Sequence, residues 1–337
     1  MSQRFKLGVL LAFPLPVVLI SLMLGSSESL NIVALLQYLQ HYIMHDFRAD
    51  LTVNSSEMEI ILCNIRLPRV LLTFLVGASL ASCGGTLQAI FRNPIVDPFI
   101  LGISSGAAFG AALAIVFPLL SLNISAFSFG IVAVVLTYFI SYSKSKTNMV
   151  SVVLSGMMVS GIFTACLTIL QYLSDPYKLQ AIVQWTMGNL HTASWEKLQY
   201  AAPPIILGLT VMMVLRWKLN LLALGDDEAK AVGVNPMALK ILLIAATTLV
   251  TAAAVAAVGV ISLFGLVVPH MSRMIFGASN VHTTTSNICI GGMLLLIIDD
   301  FSRSVMPFEI PIGVFTILIG APIFIYLMKK TLIYWNS

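Results

Sequence analysis

None of the ten long apolar runs in this chain carries a Lys, Arg, Asp or Glu near its middle. About 20 such residues suffice to cross the hydrocarbon of a bilayer, where lipid offers no partner for backbone N–H and C=O groups and a helix satisfies them internally. With 58% hydrophobic residues, 9% charged residues and a mean hydropathy of +0.97, the 337 residues hold more apolar surface than one soluble core can hide. The expectation is an all-α, polytopic membrane protein forming a single transmembrane domain over 1–337.

The runs lie near 7–25, 67–90, 98–120, 124–142, 149–172, 199–216, 239–258, 259–277, 284–301 and 311–328. The first follows Arg4 and Lys6 and resembles a signal peptide, but no A-x-A site follows it, so it reads as an uncleaved helix. The eighth is interrupted by Pro269, His270 and Arg273, and the polar lead-in "HTTTSN" is expected to shorten the ninth. A long outer loop is expected over 26–65 and a cytoplasmic segment over 217–238. Threading ten helices from a cytoplasmic N-terminus leaves Arg48, Arg66, Arg69, Lys178, Lys197 and Arg303 outside and the other twelve of the 18 Lys and Arg residues inside. That is the positive-inside bias, and it places both termini in the cytoplasm.

The charges also exclude functions. Ion-coupled carriers keep ionisable groups at mid-membrane as relays or coordination sites, so their absence here favours a transporter powered from elsewhere. The basic residues are scattered over short connections and form no stripe for nucleic acid. Cys63, Cys83, Cys166 and Cys289 show no C-x-x-C spacing and read as small buried hydrophobes rather than metal ligands or disulfides. His270 and the Met-rich "SGMMVSG" invite a ligand reading, but a lone His is more often a core hydrogen-bonding residue and Met an ordinary gap filler. No GxxxxGK[ST] phosphate loop, paired carboxylates or nucleophile constellation occurs, so no enzyme activity and no cofactor of its own are expected.

Two connections carry more information. In "LQAIFRNPIVDPFILGISSGAAFGAA", Pro94 and Pro98 forbid a continuous helix, Asn93 and Asp97 offer turn and capping side chains, and the small residues suit either close helix packing or the wall of a path. In "LALGDDEAKAVGV", Gly225 or Asp226 can start a short helix, the acids Asp226, Asp227 and Glu228 suit its positive end, and Gly233 can stop it. Leu224, Ala229 and Val232 would then form an apolar contact surface on the cytoplasmic side. A solvated loop is the alternative.

Residues 66–111, "RLPRVLLTFLVGASLASCGGTLQAIFRNPIVDPFILGISSGAAFGA", closely resemble the FecCD-type permeases of binding-protein-dependent ABC importers for ferric siderophores, haem and vitamin B12. The resemblance continues through "WTMGNLHTASWEKL", "LALGDDEAKAVGVN", "GVISLFGLVVPHMSRMIFG" and "EIPIGVFTILIGAPIFIYLMKK". It implies a ten-helix type II importer permease working as a homodimer, with two ATP-binding cassette subunits beneath that hold ATP and Mg. A periplasmic or surface substrate-binding protein would dock above. Leu224 to Ala229 with Val232 and Gly233 would form the coupling helix against the ATPase. Arg66, Arg69 and Arg303 match positions that receive acidic residues of the binding protein, with snorkelling or local pairing of Arg303 to Asp299 or Asp300 as the alternative. Asn93 and Ile95 match one cytoplasmic constriction, and Asn148 and Met149 a second, where Met149 would be a bulkier plug than the family's small hydroxyl pair. The ligand is expected to be an iron chelate, haem or cobalamin, with molybdate or tungstate as the alternative and an ion-coupled carrier as the rival mechanism.

Overall fold

The computed structural model describes residues 3–24, 60–142, 149–304 and 309–335. Helices α1 (Gln3–Ala12) and α2 (Pro14–Met23) form one span with a break at Phe13, where Pro14 cannot donate to the helical ladder. A π-helical turn, Ile60–Arg66, leads into α3 (Leu67–Phe91). There follow a 3-10 turn (Pro98–Leu101), α4 (Ile103–Val116), α5 (Leu122–Ser141), α6 (Met149–Leu173) and α7 (Pro176–Thr186). The chain continues with α8 (Trp195–Leu224), α9 (Asp226–Ala231), α10 (Pro236–Val258), α11 (Phe264–Phe276), α12 (Asn280–Ser304) and α13 (Ile312–Trp335). Among the described residues, seven helical stretches are long and apolar enough to cross a membrane, and α4, α11 and Ile312–Tyr326 of α13 are shorter apolar helices in the remaining expected places. The chain is an all-α, multi-span membrane protein.

Burial sorts these helices into an inner and an outer set. Most of α3, α10 and α12 is buried, as expected of helices apolar all round and enclosed by others, whereas α5, α6 and α8 keep apolar faces outward. At the centre, α3 packs on α12, α8, α11 and α10, while α4, α5 and α6 form a second group joined to the first through α10. Lipid tails are as apolar as Leu, so helices associate here by close van der Waals packing between small residues. A Cβ on Gly77 of α3 would stand 2.3 Å from the Gly291 carbonyl oxygen of α12, and one on Gly291 would stand 2.5 Å from the Gly77 oxygen. The "GISSGAAFGAA" stripe is used for packing: Cβ atoms on Gly106 and Gly110 would meet the Phe129 and Ser125 carbonyl oxygens of α5 at 2.5 and 2.4 Å.

Several boundaries differ from expectation. The third run does not begin a helix at 98; the 3-10 turn ends at Gly102, whose φ of +84° turns the chain into α4. The eighth begins at Phe264 instead of 259, because Gly259 turns at φ +77° against the Trp185 carbonyl and Leu263 takes a left-handed φ of +67° before the first turn. "HTTTSN" does not shorten the ninth. Two of its hydroxyls bond within α12, Thr285 donating to the Val281 oxygen and Ser286 to the Thr283 oxygen, while Asn220 of α8 accepts from the Asn280 N–H. Helix α8 continues to Leu224, so the segment expected over 217–238 starts eight residues late, and α7 was not anticipated. Of the loop expected over 26–65, residues 26–59 lie outside those described, and 60–65 are already helical.

Candidate functional site at the two rims of the bundle

One end of the bundle is built around the short helix α9. Gly225 precedes it in extended conformation, Gly233 ends it at φ +79°, and the Asn235 carboxamide accepts from the N–H groups of Met237 and Ala238 to start α10. The Lys240 ammonium of α10 donates to both oxygens of Asp226 at 2.7 Å. From the turn after α3, Arg92 donates to the same carboxylate and to the Leu222 oxygen, the latter at 3.0 Å. Burial alone would raise the Asp226 pKa, but the hydrogen bond and charge of Lys240, with Arg92 and Lys230, hold it below the usual carboxylate value. Asp226 is therefore a brace tying α9 to α3 and α10.

The sequence reading put Ala229 with Leu224 and Val232 on the contact face and Asp226 at the start of the helix, and the structure turns Ala229 away from that face. Ala229 is fully buried beneath the helix. The outward face carries Leu224 and Val232, 71% and 64% exposed, with Asp227 and Glu228. Asp227 pairs with Lys230 at 3.1 Å, but both groups are solvated and such pairs contribute about 0–1 kcal/mol. Beside this helix, Arg92 closes α3 in the left-handed region at φ 48°, Asn93 Oδ1 accepts from the Ile95 N–H at 3.0 Å, and Ile95 is 54% exposed. Asn93 and Ile95 thus stand at this rim. Asn148 lies outside the described residues, and Met149 opens α6 without a described side chain.

At the opposite end the three expected docking arginines are buried and engaged within the chain. Arg69 Nε and NH2 donate to the two oxygens of Asp299 at 3.0 and 2.8 Å, a bidentate pair, while NH1 and NH2 donate to Glu309 at 2.9 and 3.0 Å. Arg303 pairs with Asp300 and donates to the Ser21 carbonyl oxygen at 2.5 Å, and Ser21 Oγ donates to Asp300 at 2.8 Å. Arg66 caps the end of α2 through the Leu22 and Met23 carbonyl oxygens, both at 2.9 Å. Local pairing, the alternative reading for Arg303, holds with Asp300. Glu309 is the exposed member of the set. Burial pushes its pKa up, but Arg69, His191 and Arg303 together hold it below the usual value. A polar cavity of about 40 Å³ opens here between Arg69, His191, Asp299, Ser302 and Glu309.

Sequence reasoning missed Arg92 and Lys240 as partners of Asp226, and Glu309 as a partner of Arg69. The first two had a signal: one cation at the inner end of each span that an acidic helix must touch. Glu309 had none, since nothing local points it 240 positions back along the chain. Cys83 and Cys289 are buried free thiols, and no group of three or more His, Cys, Asp or Glu residues suited to a metal occurs among the described residues.

The FecCD transport family model matches residues 10–330. The molybdate import system permease protein MolB of Haemophilus influenzae is 40% identical over 283 residues, covering 83% of this chain and 84% of that protein. An iron chelatin transport system permease protein of Helicobacter pylori is 38% identical over 276 residues, 82% of this chain and 84% of that one. A solved metal-chelate type ABC transporter in an inward-facing conformation superposes at a TM-score of 0.85 with 36% identity, covering 97% of this chain and 99% of that chain.

Proposed function

Because the chain belongs to the FecCD transport family, we propose that it is the membrane permease subunit of an ATP-driven, binding-protein-dependent importer that carries a metal chelate across the bacterial inner membrane. The observation that carries this reading is the correspondence with a metal-chelate transporter over nearly the whole chain. The uncharged middle of every span supports it, because a chelate already desolvated by its own ligand shell needs no ionisable groups along its path. The 40% identity to a molybdate permease favours a second reading, a metal oxyanion carried by the same machinery.

In this reading the chain works as a homodimer with both termini in the cytoplasm, and ATP and Mg belong to two partner ATPase subunits. Helix α9 meets the ATPase through Leu224, Val232, Asp227 and Glu228, while Asp226 passes its displacement to α3 and α10 through Arg92 and Lys240. Asn93 and Ile95, next to Arg92, form a cytoplasmic constriction, with Asn148 and Met149 as its second part. On the outer face the binding protein docks around Arg66, Arg69 and Arg303. Since Arg69 already holds two carboxylates, an incoming acid displaces the exposed one, Glu309, and leaves Asp299 in place.

Co-purification tests the reading directly. The chain should retain an ATP-binding cassette subunit in detergent, and reconstituted transport should require ATP hydrolysis; transport without it would return the protein to the ion-coupled class. Screening the cognate binding protein against haem, cobalamin, ferric siderophores and molybdate separates chelate from oxyanion, since that partner sets the ligand.

A further inference from the structure

At the rim of Arg66 and Arg69, the first turn of α8 stands beside the start of α5 over the end of α10. The Trp195 indole of that turn donates to the Cys63 carbonyl oxygen at 2.8 Å, which fixes its level next to the start of α3. Between the three helices lies a cavity of about 280 Å³. Its floor is apolar, with Phe127 of α5, Ala201 and Pro204 of α8, and Ala253 and Ala256 of α10. Its mouth is polar and carries both signs of charge, Glu196 and Lys197, with Asn123 beside them. The Asn123 Oδ1 atom is buried in the cavity wall and has no hydrogen-bond partner. Exposed Trp195 and Tyr200 mark this level as the membrane–water interface, where aromatic side chains concentrate.

The same seam continues inward. A second cavity, about 390 Å³, follows between α5 and α10 and is lined mainly by apolar side chains, among them Ile131, Val135, Ile241 and Leu249, with Tyr138 and Thr248 as the polar members of its wall. From Ala257 at the first cavity to Leu249 at the second, α10 advances roughly 12 Å at ~1.5 Å per residue. That approaches the depth of one leaflet, half of a hydrocarbon core about 30 Å thick. The seam therefore offers, in order from the rim, a two-sign polar mouth, a small-residue trough and an apolar well.

We propose that this seam binds one phospholipid with a zwitterionic, amine-bearing headgroup. The Lys197 ammonium takes the phosphate; it has three donors and spends one on Thr192 Oγ1 at 2.6 Å. Glu196 and the unpartnered Asn123 oxygen take the amine, and an acyl chain lies over Ala253 and Ala256 toward Leu249. A choline head offers no N–H to Glu196 or Asn123. A glycerol head offers Glu196 and Asn123 only neutral O–H groups and brings no positive charge to balance the Glu196 carboxylate.

The test is native mass spectrometry of the full chain in detergent, incubated with phosphatidylethanolamine, phosphatidylcholine or phosphatidylglycerol of identical acyl chains. Phosphatidylethanolamine should be retained at least about fivefold more than the other two, a preference of about 1 kcal/mol at ~1.4 kcal/mol per tenfold. Glu196→Gln and Lys197→Met, both at the solvated mouth, should each remove most of that preference, and Ala256→Leu should reduce retention of the lipid altogether by filling the trough. Equal retention of the three lipids, or a preference for the anionic one, overturns the proposal. So does a phosphatidylethanolamine preference unchanged in Glu196→Gln and Lys197→Met, which decides the matter even if Ala256→Leu does not fold.

Discussion

The two rims use the same chemistry to opposite ends. At the rim proposed to face outward, Arg69 and Arg303 are buried with Asp299 and Asp300, whose side chains are 1% and 10% exposed. At the rim proposed to face inward, Asp226 is 44% exposed and shares a solvated contact with Arg92, 43% exposed, while its other partner, Lys240, is 9% exposed. A buried pair resists separation, because parting it strands a charge away from water, whereas a solvated one is released at little cost. The outer rim is an anchor joining α2, α3 and α12, and the inner rim is a latch that holds α9 and can let it go.

Four measurements would break or sharpen that contrast. Asp299→Ala leaves Arg69 buried with Glu309 alone and should destabilise the protein by about 3–5 kcal/mol in chemical unfolding; a loss under about 1 kcal/mol would make the outer rim no more an anchor than the inner one. Leu224→Asp with Val232→Asp should weaken ATPase association in pull-down titrations by about tenfold or more, the 1–2 kcal/mol typical of exposed apolar anchors at an interface. Arg92→Gln, which parts only the solvated contact with Asp226, should cost at most about 1 kcal/mol of stability, while uncoupling ATP hydrolysis from transport in proteoliposomes. A large stability loss with coupling intact would turn the latch into a second anchor.

Glu309→Gln should have the smallest effect and the opposite sign, tightening the cognate binding protein a few-fold, by about 0.5–1 kcal/mol. Arg69→Ala is its control: if that change leaves affinity untouched, docking lies elsewhere, and if it weakens binding while Glu309→Gln does not tighten it, the exchange is wrong. The same pair sets a pH dependence. Glu309 has a folded pKa below its reference of 4.5, so its contribution is present above that value and is lost as pH falls through the folded one. Unfolding followed from pH 7 to below 4 should show a decline in the parent chain that Glu309→Gln flattens.

Much of this architecture was legible in the sequence because bilayer physics leaves few choices. The apolar runs could only be helices. Helix α9 was legible too, since Gly225, three acids and Gly233 are local signals. What escaped depends on contacts distant in sequence. The inward turn of Ala229 is set by packing beneath α9, and the engagement of Arg69 and Arg303 depends on Asp299, Asp300 and Ser21 arriving from other spans. "HTTTSN" misled because hydroxyls that look like a helix stop in water, those of Thr285 and Ser286, bond back to their own helix inside a bundle.

The glycine contact between α3 and α12 bears on how such a bundle changes shape. Where Gly77 and Gly291 meet, backbone touches backbone, and no side chain is available there to swing into a second rotamer and accommodate a slide. Movement of that seam by even an ångström must either open a void in the bilayer interior or drive carbonyl oxygens together. Helices α3 and α12 therefore move as one rigid unit, and any sliding that opens and closes a path has to occur between that unit and the helices at its margin.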